Sequence, residues 1–132
     1  MPDNGLVSLP SPVSARETLD RLLSTLSARG LTVFARIDHA AGAASVGLPL
    51  RPTEVVLFGN PKGGTAPMQE RQSVGIDLPL KALVFEDSDG KAWFAYNDPA
   101  WIARRHDLGA TSAPAIKAMT ALLDAISQEV TR

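Results

Sequence analysis

Leu80-Lys81-Ala82-Leu83-Val84-Phe85-Glu86, then Asp87-Ser88-Asp89-Gly90, then Lys91-Ala92-Trp93-Phe94-Ala95-Tyr96: this stretch decides the fold. Two runs rich in Val, Phe, Trp and Tyr flank an Asp-Gly pair, the dipeptide that suits the positive φ angles of a tight hairpin turn. Strands joined this way are antiparallel neighbours. A lone hairpin is marginal in water, so the flanking sequence must supply more strands and a layer to cover them.

Upstream, Glu54 to Phe58 reads as a compact buried strand. Leu31 to Ile37 reads as another, with Leu31, Val33, Ala35 and Ile37 on one face and Thr32, Phe34 and Arg36 on the other. Leu6 to Leu9 is a short first strand, and Pro10 and Pro12 put it at an edge or an exit from the sheet. Ala40 to Ser45 is a loop or one short helical turn.

The covering helices announce themselves by spacing. Ser14 and Glu17 have the spacing of a capping box. Leu19, Leu22, Leu23 and Leu26 follow on one helical face, and Gly30 suits a left-handed terminator, so a helix is expected from Ala15 to Arg29. Thr65 caps an expected second helix through Met68 and Arg71 towards Ile76, with Pro67 in its first turn. Asp98-Pro99 starts a short helix through Arg105. A last helix begins near Ser112 or Ala113 and carries Ile116, Met119, Leu123, Ile126 and Val130 on its core face. The expectation is an α+β fold: a mainly antiparallel sheet of about four to five strands with helices on one face.

A chain of 132 residues accommodates one domain, here residues 1–132, and 45% apolar content is enough for its core. Thirteen basic and 14 acidic residues leave a net charge of -1, with no basic stripe of the kind nucleic acids require. The one dense basic spot, Arg104-Arg105-His106, is followed at once by Asp107 and reads as a solvated helix end. There is no cysteine, which removes disulfides and thiolate chemistry. Met1 to Gly5 lacks the basic start of a secretory signal, and no apolar run reaches the ~20 residues a bilayer demands. The expectation is a soluble, cytoplasmic protein without nucleic-acid or membrane partners.

For chemistry, the segment Gly59-Asn60-Pro61-Lys62-Gly63-Gly64-Thr65 is the most specific local feature. Glycines that turn backbone N–H groups inward, a helix N-terminus and the charge of Lys62 together describe an anion site. It is not a phosphate-binding P-loop, because Lys62 stands too far before Thr65. A tight strand-to-helix connection would use the same glycines. His39 and His106 are the only histidines, with Asp38 and Asp107 beside them. A metal site would need them to converge, and Asp38 and His39 would point to opposite faces of a strand, so no metal is expected. His39 suits an acid–base or hydrogen-bonding role. Asp77, a carboxylate opposed by a helix dipole, caps a loop or faces a pocket. Hydrolase, zinc-protease and dinucleotide signatures are absent, and no cofactor is implied.

Ile37-Asp38-His39, Phe58-Gly59-Asn60-Pro61-Lys62, Gly64-Thr65 with Met68, Asp77-Leu78-Pro79-Leu80-Lys81, and Tyr96 with Asp98-Pro99 occur in that order. Together they resemble the domain-of-unknown-function 302 family over nearly the whole chain. The resemblance implies a curved antiparallel sheet carrying helices, similar to half of a TATA-binding-protein saddle. It also implies a homodimer, and it carries no catalytic residue with it.

Three readings of function follow. The leading one is a small-molecule or anion-binding module of a homodimer, with His39, Asn60, Lys62, Gly63, Gly64, Thr65, Met68 and Asp77 around the ligand. The second is an enzyme using His39 as acid–base with Asp77 or Asp38. The third is a dimerisation domain without ligand.

Overall fold

Every neighbouring strand pair is antiparallel, the pair joined by the Asp-Gly turn included. The computed structural model describes residues 3–132 apart from the Pro61 side chain; Met1 and Pro2, where the sequence reading looks for a targeting segment, lie outside them. Five strands, β1 (Leu6–Ser11), β2 (Thr32–Asp38), β3 (Thr53–Gly59), β4 (Leu80–Glu86) and β5 (Ala92–Asn97), form one sheet in the order β1-β5-β4-β3-β2. The helices are α1 (Ala15–Ala28), α2 (His39–Ser45), α3 (Pro61–Glu70), α4 (Pro99–Arg105) and α5 (Ala113–Val130), with a 3-10 turn at Gln72–Ile76.

The hairpin turn is held by Asp87, whose carboxylate accepts the N–H groups of Asp89 and Lys91 at 2.9 Å and the Trp93 indole N–H at 2.8 Å. These bonds, the indole's first, hold the Asp87 carboxyl below the ordinary carboxylate range. Gly90, at φ 77°, supplies the left-handed residue that closes the turn.

One face of the sheet carries Val56, Phe58, Ala82, Val84 and Phe94, all buried against Leu22 and Leu26 of α1 and Leu123 and Ile126 of α5. Each large side chain buried there contributes about 1.5–3 kcal/mol, which fixes both helices on this face. On the other face Ile37, Val55, Leu83, Ala95 and Ser8 pair directly across all five strands. Ile37 is 45% exposed there and Leu6, on the same face, 57%.

Four expectations change. First, β1 runs on through Pro10, which pairs with Trp93. An edge strand tolerates the missing donor. Second, β2 does not alternate cleanly, because the register shifts between Val33 and Ala35. Val33 therefore lies opposite Phe58 and Ala35 opposite Leu57, on different faces. Third, the second long helix starts at Pro61, not Thr65, so Gly63, Gly64 and Thr65 are helical rather than a loop. Asn60 caps it, and Pro67 lies in its interior. Fourth, that helix ends at Glu70, and the segment towards Ile76 is the separate 3-10 turn. The hairpin, α1, α4 and the start of α5 lie where the sequence places them, within the two residues by which helix and strand ends usually vary.

Candidate functional site

Helices α3 and α5 are neighbours, and the small residues between them leave space that side chains do not fill. Gly63, Gly64 and Ala66 on α3 face Ala115 and Ala118 on α5, leaving a cleft of about 710 Å³. Its walls are completed by Phe34, Leu57, Met68, Leu78 and Leu122. The bulge in β2 is what brings Phe34 to the cleft. Met68 and Met119 line it with flexible thioethers that can repack around a guest.

The polar groups gather at one rim. Asn60 Oδ1 accepts the backbone N–H groups of Lys62 at 2.9 Å and Gly63 at 3.3 Å, which closes the first turn of α3. Gly63 N–H is also bonded to the Asn60 carbonyl at 2.9 Å. Two of the amides at this helix end are thereby satisfied within the protein. Lys62 is exposed and has no ion-pair partner among the described residues. The cleft is thus an apolar slot with one free cation at its mouth.

Of the residues singled out in the sequence, Asn60, Lys62, Gly63, Gly64 and Met68 line this cleft. Thr65 lies on α3 but not in the lining. His39 stands elsewhere. It begins α2 beyond Asp38, whereas the cleft lies at the Thr32 end of β2, roughly 20 Å away along the strand. Asp38 caps α2 through a 2.9 Å bond from the Ala41 N–H. Neither residue comes near Asp77.

Asp77 is paired with the other histidine. Its carboxylate meets Arg105 Nη1 at 3.0 Å through both oxygens and His106 Nε2 at 2.5 Å. His106 Nδ1 in turn lies 2.9 Å from Ser73 Oγ. The Arg105 guanidinium answers the charge that the dipole of the preceding turn opposes, and the His106 ring adds a hydrogen bond. Arg104 pairs with Asp3 at 2.5 Å, so each arginine of the basic spot meets a carboxylate, and Asp107 beyond it pairs with Arg71 at 3.5 Å. Lys81 Nζ donates to the Asp77 carbonyl at 3.3 Å, and burial pulls its ammonium below the ordinary lysine range against the opposing pull of Asp77.

Sequence reasoning missed Phe34, Ala115, Ala118, Ser73 and His106 as members of these two groupings. Ala115, Ala118 and Leu122 fall at i, i+3 and i+7, a second stripe beside the core stripe of α5. Asp77 demanded a cation, and the only dense basic spot in the sequence was the place to look. Nothing local marks Phe34, because the bulge depends on its partner strand.

A family model described as a domain of unknown function, DUF302, matches residues 7–126. A Brucella suis biovar 1 (strain 1330) protein named fluoride-specific ion channel FluC 1 is 50% identical over 117 residues, 89% of this chain and 46% of that protein. A Brucella melitensis biotype 1 protein named fluoride-specific ion channel FluC 2 is 50% identical over 117 residues, 89% of this chain and 43% of its own length. The chain therefore spans less than half the length of the curated relatives it matches. The crystal structure of an uncharacterised conserved DUF302 protein from Bacillus stearothermophilus superposes with a TM-score of 0.84 at 19% identity, covering 98% of this chain and 99% of that one. At that identity the likeness speaks for the fold. No helix among the described residues is long and apolar enough to cross a membrane.

Proposed function

The chain belongs to the DUF302 family, and from that premise we propose that it is a small-molecule-binding module whose ligand is apolar with one anionic group. The carrying observation is the free Lys62 at the mouth of an otherwise apolar cleft of about 710 Å³. That volume suits a ligand of small-metabolite size, and one convergent charge on apolar walls selects amphipathic acids over bare ions. A small inorganic anion is the weaker candidate, because Asn60 already engages the amides of Lys62 and Gly63. His39 and Asp77 take no part in this site.

The module works as a homodimer in this reading. The row from Ile37 through Leu83 to Ser8 lies on the sheet face opposite α1 and α5, with Ile37 and Leu6 exposed towards its two ends, and a second copy buries it. Two copies related by a two-fold axis present the same patch to each other. The cysteine-free composition suits the cytoplasm.

The relatives named as fluoride channels suggest a setting for the module. We place the channel activity of those proteins in the portion this chain does not match, with the present domain as its companion. The absence of a membrane-length helix among the described residues supports that division.

A thermal-shift series tests the reading. Octanoate and aromatic carboxylates should raise the melting temperature saturably, by several degrees, since ligand at a hundredfold excess over Kd adds about 2.7 kcal/mol. The matching alcohols should act more weakly, and Lys62→Ala should erase the difference between acid and alcohol. Fluoride and chloride at equal ionic strength should act alike. No saturable response to any apolar acid, or an unchanged preference in Lys62→Ala, overturns the assignment.

A further inference from the structure

Away from the cleft, three side chains stand in the order nucleophile, base and orienting acid. Ser73 Oγ lies 2.9 Å from His106 Nδ1, and His106 Nε2 lies 2.5 Å from Asp77 Oδ2. The His106 side chain is only 7% exposed and that of Asp77 12%, whereas Ser73 is open to solvent. A carboxylate that holds one ring N–H fixes the tautomer and leaves the other nitrogen as an acceptor facing the hydroxyl. Here the carboxylate holds Nε2 and Nδ1 faces the serine. Either nitrogen can serve as base once the other carries the hydrogen. Arg105, paired to both oxygens of Asp77 at 3.0 Å, holds the carboxylate in place. The ion pair alone would tie the 3-10 turn to the end of α4. The hydroxyl adds an exposed terminus to the relay, within reach of an external acyl group. Ile76, in the same turn and 75% exposed, offers that group an apolar contact.

We propose that Ser73 is an acyl-accepting nucleophile, with His106 as its general base and Asp77 as the positioning residue, acting on small activated esters. Ser73 Oγ bonds to the acyl carbon while its proton passes to His106 Nδ1. The tetrahedral adduct collapses, the carbon–oxygen bond to the alcohol breaks, and the leaving oxygen takes the proton from Nδ1. Water then repeats the sequence on the acyl-serine, releasing the acid and restoring the hydroxyl.

An alkyl phosphonofluoridate, which traps activated serines covalently, tests this directly. The native protein should gain one adduct per chain, mapped to the peptide holding Ser73 and absent in Ser73→Ala. The same chain unfolded in urea keeps the serine but loses the relay, so native labelling should be faster by about a hundredfold, the lower range of general-base catalysis. Ser73→Ala leaves the Asp77–His106 pair intact, so its folding is expected to survive. No adduct, an adduct elsewhere, or equal rates in native and unfolded chains would overturn the proposal.

Discussion

Glu70 is a carboxylate that serves a helix it does not belong to. Its oxygens accept the N–H groups of Gly109 at 2.7 Å and Ser112 at 3.1 Å and the Ser112 hydroxyl at 2.6 Å, at the start of α5. The Ser112 hydroxyl first, then the Gly109 amide, hold its carboxyl below the ordinary 4.5. A group whose pKa is lowered by folding stabilises the protein above the unfolded value and loses that contribution as pH falls through the folded one. Glu70→Gln should therefore be less stable than wild type at neutral pH, with the gap narrowing below about 4.5 in urea titrations at stepped pH. A gap that is constant with pH would mean the carboxylate charge contributes nothing. The sequence places the helix start near Ser112 or Ala113. The group that completes the cap lies some forty positions upstream, and only tertiary folding brings it there.

At the scale of elements, α3 separates what was legible from what was not. Its position after β3 and its glycines were plain in the sequence, and five of the eight residues expected around a ligand do line the cleft. The start was misread because Asn60-Pro61 and Thr65 both carry start signals, and Asn followed by proline at the first helical position is the one used. Asn60→Ala should cost about 1 kcal/mol in denaturant unfolding, the usual effect of losing a side-chain cap, and Thr65→Ala should not lose a cap at all. No loss in Asn60→Ala would remove Asn60 as the cap. β2 failed for a different reason. Alternation predicts one face per strand, and a bulge at Phe34 is written in the pairing with β3, not in β2 alone.

For the molecule as a whole, the strand count, the antiparallel pairing and the segregation of helices followed from hairpin chemistry and apolar spacing. The placing of His39 did not, since sequence cannot tell which end of a strand faces which helix. The uncovered sheet face carries the clearest prediction at this scale. Sedimentation at micromolar concentration should give twice the 14.0 kDa chain mass, and Leu83→Glu, at the centre of that face, should give the single chain. A 14.0 kDa species from the wild type would dismiss the dimer. The strand order also bears on how the chain assembles in time. β2, β3 and β4 each lie beside the next strand in the sequence, so β2 to β5 can zip up successively through closures shorter than the one β1 needs. β1 alone must wait for a partner some ninety residues ahead, since Leu6 meets Asn97. On a ribosome the first strand made is then the last to be placed. Until β5 emerges, β1 has no strand beside it, and the nascent chain carries that unpaired strand for most of its synthesis.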